Sequence, residues 1–187
     1  MSELNEVTPL ELFQALELTR SDGPKEIKTK AAEFKALWAR ATPDVCRAQN
    51  SAGQTVLQLM VVYGFNLLIP FILQDMPELA LRHAKQNNEY PIHTAILNHE
   101  IDVVQLLLEV PGVSNLRNDR NQSILHYAAR FGSQDMMLLC CKKRAGNIDE
   151  KDRFGKTPLA LAREENSPDV EAVLIAQGAD GNLVEGF

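Results

Sequence analysis

A short motif recurs four times along the chain at almost constant spacing. Its copies are centred on residues 55, 90, 123 and 157, which lie 35, 33 and 34 residues apart. A unit of this size cannot bury a hydrophobic face alone, so such units stack and cover one another. The repetition therefore predicts an elongated stack of similar units and argues against a single central core.

Each copy carries residues suited to a tight turn followed by a helix. Two positions before each centre stands glycine or asparagine, which tolerate a left-handed backbone. Three centres are threonine or serine, whose hydroxyl caps a helix N-terminus, and Pro91 and Pro158 follow at the first helical position. Tyr90 departs from this pattern, so the second copy should start its helix less firmly. The turn residues are Gly53, Asn88, Asn121 and Gly155, and the capping residues are Thr55, Ser123 and Thr157.

The third copy reads Ser-Ile-Leu-His-Tyr-Ala from Ser123 to Ala128. This resembles the Thr-Pro-Leu-His-x-Ala core of the ankyrin repeat, and the resemblance covers about residues 49–181. It implies an all-α ankyrin-repeat solenoid of stacked helix-turn-helix units with β-turn or hairpin fingers and an N-terminal helical cap. Repeats one to four would span about residues 49–84, 85–117, 118–151 and 152–181, and residues 182–187 would form a C-terminal tail.

Residues 1–48 do not follow the period. Residues 8–11 (Thr-Pro-Leu-Glu) predict a capping box, and Leu10, Phe13 and Leu16 predict the apolar face of a short helix. This segment is either a helical cap or a degenerate first repeat. A cap is favoured because terminal units must shield a stack from water.

Residues 65–73 are apolar almost all round, which requires burial on every side or a contact surface. The run is too short for a transmembrane helix, so no membrane span is expected. Its cover is expected from a second N-terminal helix over residues 24–41, through Phe34 and Trp38. The alternative is self-association or a partner contact through residues 67–73.

Net charge, cysteine spacing and the N-terminal residues argue against several classes of partner and indicate where the protein resides. A formal net charge of −6 argues against nucleic acid and anionic membranes, which attract clustered Lys and Arg. The three cysteines form no CxxC pair, and residues 1–6 contain no apolar signal segment. An intracellular protein is expected, cytoplasmic with the nucleus not excluded, or delivered into a host cell if the chain is a bacterial effector.

No catalytic residue, metal site or cofactor is predicted. The sequence Gly155-Lys156-Thr157 imitates a phosphate-binding loop, but Glu150 stands where its first glycine would be needed. His93 and His126 occupy equivalent positions in their repeats. The resemblance to ankyrin repeats implies that this histidine is structural and bonds the turn of its own or the next repeat. The alternative from another class is an enzyme whose activity lies in residues 1–48. That segment contains no paired base and nucleophile, so its sequence does not support this alternative.

The resemblance implies that another protein binds the concave face, at the turns and the exposed ends of the first helices. Arg and aromatic residues dominate interface hot spots, and the Arg-rich cluster on this face suits an acidic or phosphorylated segment. The expected function is a non-enzymatic adaptor, scaffold or inhibitor, with a host-directed bacterial effector as the alternative. The candidate partner-binding residues are Tyr63, Gln86, Asn87, Glu89, Asp119, Arg120, Gln122, Arg130, Phe131, Arg153, Phe154 and Lys156.

Overall fold

A computed structural model describes residues 6–16, 24–84 and 88–182, and helices are the regular secondary structure throughout these ranges. The all-α prediction is therefore confirmed. None of the helices described there is both long and apolar enough to cross a membrane. Helices α1 to α11 span Pro9–Gln14, Pro24–Trp38, Pro43–Cys46, Val56–Tyr63, Ile69–Asp75, Pro91–Leu97, Ile101–Leu108, Ile124–Phe131, Gln134–Lys142, Pro158–Glu164 and Pro168–Ala176, and 3₁₀ turns cover Asn66–Leu68, Pro77–Leu81 and Val113–Asn115.

The helices of the four repeats form two layers. Inner helices α4, α6, α8 and α10 pack on one another in sequence, and each contacts the outer helix that follows it, α5, α7, α9 or α11. Ala95, Ala128 and Ala162 are completely buried between helices, as their small size predicts. Met60 stands at the corresponding position of repeat one and is also buried.

The inner helices begin where their capping residues predict. The Thr55 hydroxyl accepts the Gln58 N–H at 3.3 Å, and the Thr157 hydroxyl accepts the Ala160 N–H at 3.2 Å. Tyr90 supplies no side-chain cap. Its N–H instead donates to Nδ1 of His93 at 3.1 Å, so the side chain of the third helical residue compensates for the missing hydroxyl.

Tight hairpin turns, here called fingers, precede the inner helices. Their left-handed residues are the four that were predicted: φ is 75° at Gly53, 47° at Asn88, 57° at Asn121 and 77° at Gly155. The first, third and fourth fingers are closed by paired backbone hydrogen bonds across residues 50–54, 118–122 and 152–156.

The N-terminal helices differ from the prediction in two places. Thr8 and Glu11 form the expected capping box, but Leu10 is 62% exposed whereas Leu12 is buried. Phe13 and Leu16 are buried as predicted, so Leu12 takes the place of Leu10 on the apolar face of α1, which packs on α2, α3 and α4 together. Helix α2 ends at Trp38 rather than at residue 41, and Thr42 caps the additional helix α3.

The apolar segment of repeat one contacts α4 and also side chains of the N-terminal helix α2. It consists of a 3₁₀ turn followed by α5 rather than one helix, and Ile69 and Ile72 are completely buried. Phe34 and Trp38 are buried in the same hydrophobic core, and the Trp38 indole N–H donates to Asp75 at 2.7 Å. Leu67 is left 82% exposed.

Candidate functional site

One polar residue braces each of the first, third and fourth fingers from within. In the third finger, Oδ1 of Asn118 accepts the N–H of Arg120 at 3.0 Å and that of Gln122 at 2.9 Å. In the fourth finger, Oδ1 of Asp152 accepts the N–H of Phe154 at 2.8 Å and that of Lys156 at 3.0 Å. These bonds fix the backbone of four candidate residues, Arg120, Gln122, Phe154 and Lys156.

The bracing residues were missed from sequence, although a signal was present. Asn50, Asn118 and Asp152 each stand five positions before the first helical cap of their repeat. Asn and Asp side chains commonly bond a backbone N–H two residues further on, which closes a turn. The repeat spacing identifies these three residues once it is applied to the turns as well as to the helices.

The third and fourth fingers are joined to each other. The Arg153 N–H donates to the Arg120 carbonyl at 2.9 Å, and the Asn121 side-chain amide donates to the Lys151 carbonyl at 3.2 Å. The two fingers therefore present Arg120 and Arg153 as neighbours on one edge of the stack.

Residues at the third helical position connect successive repeats. Gln58 donates to the Glu89 carbonyl at 2.6 Å, and Nε2 of His126 lies 3.0 Å from the Lys156 carbonyl. Nδ1 of His126 accepts the Ser123 N–H at 3.1 Å. The predicted structural role of His126, bonding its own and the next turn, is confirmed.

His93 bonds its own turn but leaves Nε2 without a partner in the described part of the chain. Burial lowers the pKa of His93 to about 3, and the charge of Arg117 acts in the same direction. Burial also lowers the pKa of His126, against the opposing effect of the Lys156 carbonyl. Both imidazoles are therefore neutral at pH 7, as structural groups in a core should be.

The protein should lose stability in mild acid, because His93 binds a proton more readily in the unfolded chain than in the fold. The pKa of His93 rises from about 3 in the fold to an ordinary value near 6.5 on unfolding. The contribution of His93 to stability is therefore constant above about pH 6.5 and falls by up to about 1.4 kcal/mol per pH unit below it. His93→Gln should remove about 2 kcal/mol of the difference between pH 7 and pH 5. Urea unfolding at both pH values measures this.

Gln58 occupies the equivalent position in repeat one and forms the same kind of capping bond, so His93→Gln should preserve the helix start. An unchanged pH dependence in this variant would show that His93 does not control acid unfolding.

A groove of about 240 Å³ lies between repeats two and three on the finger side, here called the repeat 2–3 groove. The structure thus brings together half of the predicted partner-binding residues. Leu97, Asn118 and Tyr127 complete its lining. The predicted residues in it are Glu89, Asp119, Arg120, Gln122, Arg130 and Phe131.

Tyr127 organises this groove and was not predicted. Its hydroxyl donates to Oε1 of Glu89 at 2.6 Å and accepts from the Asn118 amide at 3.4 Å. Burial, reinforced by the Glu89 carboxylate, raises the pKa of Tyr127 far above its usual range. The phenol therefore stays protonated and holds a carboxylate of repeat two against an inner helix of repeat three.

The basic residues of this face fall into two kinds. Nε of Arg130 lies 3.1 Å from Glu165, and Nζ of Lys156 lies 2.7 Å from Glu164. Arg120 and Arg153 are exposed and form no ion pair with any residue that the structure describes. The charge available to a partner is therefore concentrated at the two joined fingertips.

The aromatic candidates remain accessible. Phe154 is 59% exposed at the fourth fingertip, and Phe131 is 36% exposed beside the repeat 2–3 groove. The Arg130 guanidinium carbon lies 5.3 Å from the centre of the Phe131 ring, a cation–π distance. Phe131 also contacts the Tyr127 ring, with 5.5 Å between centroids, so it is anchored on its inner side.

The remaining candidates lie elsewhere. Tyr63 lines a separate groove with Leu10 and Phe13 of α1. Gln86 and Asn87 lie outside the described residues. The structure therefore joins the described candidates of repeats two to four, and Tyr63 lines a different groove from them.

The cysteine thiols are poorly suited to nucleophilic chemistry. Burial raises the pKa of Cys46 to about 11 and that of Cys140 to about 12, and a thiolate is the reactive form. Across residues 6–16, 24–84 and 88–182, no group of three or more His, Cys, Asp and Glu side chains is arranged to hold a metal ion.

Paired helices, hairpin fingers and a period near 34 residues define a helical solenoid with a finger-lined face. Residues 110–185 match the family described as ankyrin repeats (3 copies). This part of the chain therefore consists of ankyrin repeats, and such repeats imply a protein–protein interaction module.

Curated relatives extend the similarity towards the N-terminus. The chain is 29% identical over 143 residues to the nuclear factor NF-kappa-B p105 subunit of Gallus gallus, which covers 73% of this chain and 14% of that protein. It is 30% identical over 171 residues to the ANK repeat-containing protein nipk-1 of Caenorhabditis elegans, covering 79% and 28%.

A third relative is the probable 26S proteasome regulatory subunit p28 of Saccharomyces cerevisiae, 30% identical over 95 residues, covering 50% of this chain and 42% of that protein. The chain spans less than half the length of each of these three relatives.

Proposed function

We propose that this chain is a non-catalytic adaptor, scaffold or inhibitor that binds another protein through the repeat 2–3 groove and the third and fourth fingers. One observation carries the proposal: six candidate residues from two different repeats converge on a single groove. Two of the relatives described above are named as subunits of larger proteins or assemblies, which supports a binding role.

The chemistry of the fingertips favours an acidic or phosphorylated segment as the partner. Arg120 and Arg153 are held side by side by a backbone hydrogen bond and have no carboxylate partner among the described residues. Guanidinium groups bind carboxylates and phosphates through two parallel hydrogen bonds. A partner with two neighbouring acidic groups would therefore engage both fingers at once.

Accessible aromatic rings next to these charges supply apolar contact area. Phe154 lies at the tip of the fourth finger, and Phe131 lies on the edge of the groove. Exposed aromatic groups beside arginine are typical of interface hot spots. Tyr63, in its separate groove, would contribute only to a partner long enough to reach repeat one.

Residues 1–48 complete this proposal as the cap of the stack, with repeats over residues 49–181. Their helices bury Phe34 and Trp38 in the same core as repeat one. Free thiols at Cys46, Cys140 and Cys141 fit an intracellular location.

Charge reversal at the fingertips should abolish most partner capture. Arg120→Glu combined with Arg153→Glu should weaken binding by about tenfold or more, because both changes place carboxylates opposite an acidic segment. Quantitative affinity capture from native lysate, followed by titration of the proteins enriched on wild type, measures the loss.

A matched control is available in Arg82→Glu combined with Lys142→Glu. Both residues are exposed and lie outside the groove and the third and fourth fingers, and the change in net charge is the same. Equal capture by the fingertip variant and by wild type would contradict the proposed site, and equal loss in the control would show a general charge effect.

A further inference from the structure

A second groove lies on the N-terminal part of the molecule and shares no residue with the repeat 2–3 groove. It has a volume of about 250 Å³ and runs between α2 and the 3₁₀ turn Asn66–Leu68 of repeat one. Its floor is apolar, with Ala31 on one side and Phe65 and Leu68 on the other. We call this feature the cap groove.

At Leu67, the apolar lining of the cap groove is open to solvent. Of the large apolar side chains in the described residues it is the most exposed, at 82%, and it lines the groove. The neighbouring Leu68 is 1% exposed, so of these two adjacent leucines one is buried and the other is open to solvent.

The charges that line the cap groove are both positive. Lys28 and Lys35 lie seven residues apart on α2, which is about 10 Å along one face of a helix. Nζ of Lys35 lies 5.3 Å from the centre of the Phe71 ring. The described lining includes no carboxylate, although the whole chain has a net charge of −6.

A second copy of the chain is a poor occupant. A two-fold symmetric contact places the same surface on both sides, which would bring Lys28 and Lys35 towards their own counterparts around Leu67. Like charges at an interface oppose association. Self-association through residues 67–73 is therefore disfavoured by the charges beside them.

We propose that the cap groove binds an acidic amphipathic helix of a partner protein. Two carboxylates seven residues apart would match Lys28 and Lys35, and apolar side chains three and four residues after the first would lie on the same face, against Leu67 and the groove floor. The cap groove shares no residue with the repeat 2–3 groove or with the third and fourth fingers. It would add a second contact surface to the proposed interaction module.

A subtractive peptide selection tests this proposal on the full chain. A phage library of helical peptides of about 15 residues, long enough for marginal helicity, is selected for binding to wild type and depleted on Leu67→Gln. The depleting variant is uncharged and its site is exposed, so it should fold and should impose no charge bias of its own.

The enriched peptides should carry two acidic residues seven apart with leucine-like residues between them. Their affinity, measured by fluorescence anisotropy, should fall about tenfold for Lys28→Gln combined with Lys35→Gln. It should be unchanged for Arg82→Gln combined with Lys142→Gln and for the Arg120/Arg153 reversal, which also separates this site from the fingertip site.

Three outcomes overturn the proposal. Peptides without an acidic pattern would remove the charge argument, and absence of any Leu67-dependent peptide would remove the site. A dimer in sedimentation that dissociates on Leu67→Gln would assign the groove to a second copy of the chain.

Discussion

Phe34→Ala should destabilise the protein by about 3–5 kcal/mol, the range expected when a buried phenylalanine is truncated. Phe34 is completely buried where α2 packs near repeat one, and its ring lies 5.6 Å from that of Trp38. Its loss leaves a cavity beneath the cap. Equilibrium urea unfolding measures the global cost, and amide hydrogen exchange in α4 and α5 reports whether repeat one opens first.

Phe154→Ala is the matched control, because the same atoms are removed from a side chain that is 59% exposed. Its expected cost is within about 0.5 kcal/mol. If Phe34→Ala cost no more than this control, or left exchange in α4 and α5 unchanged, residues 1–48 would be an independent unit rather than the cap of the stack.

Gly132→Ala should also be strongly destabilising, by about 3 kcal/mol, through a steric clash. Gly132 ends α8 with an extended backbone that any residue can adopt, φ −83° and ψ 176°. A β-carbon there would lie 2.5 Å from the Ala128 carbonyl oxygen and 3.1 Å from its Cα. Backbone atoms cannot move aside cheaply, so the end of α8, next to Phe131, would have to shift.

Gly178→Ala separates this clash from ordinary backbone strain. Gly178 has a left-handed φ of 95° with nothing within 4 Å of the added carbon, so its cost should be about 1–2 kcal/mol. Thermal unfolding of the two variants compares them. A smaller shift in melting temperature for Gly132→Ala than for Gly178→Ala would contradict the steric explanation.

The periodic parts of the fold could be predicted from sequence because each rests on local backbone chemistry. Gly53, Asn121 and Gly155 adopt left-handed conformations, and Thr55 and Thr157 cap their helices. These preferences act within a few residues and need no knowledge of the neighbouring repeat. The repeated spacing then implies the stack.

The errors arose where a residue's role depends on a distant element. Leu10 was expected to face the core, but α1 packs against three helices at once and turns Leu12 inward instead. Helix α2 was expected to extend to residue 41, but Thr42 begins another helix. Helical spacing alone cannot choose between neighbouring apolar faces when the packing partners are unknown.

Six of the positions that line the repeat 2–3 groove were predicted from sequence, but the electrostatic arrangement of the face was not. Arg120 and Arg130 are equally basic in the sequence, yet only Arg130 has Glu165 within 3.1 Å. Whether a charge is available to a partner depends on side chains brought together by stacking, which repeat spacing does not specify.

The contacts between repeats also differ from one junction to the next. Gln58 and His126 each connect to a backbone carbonyl of the following finger, whereas Nε2 of His93 makes no such bond within the described chain. Between repeats two and three, the bond from Tyr127 to Glu89 joins two side chains instead. Glu89 also lines the repeat 2–3 groove, so we expect a ligand that competes for its carboxylate to weaken this bond and loosen the junction between the two repeats.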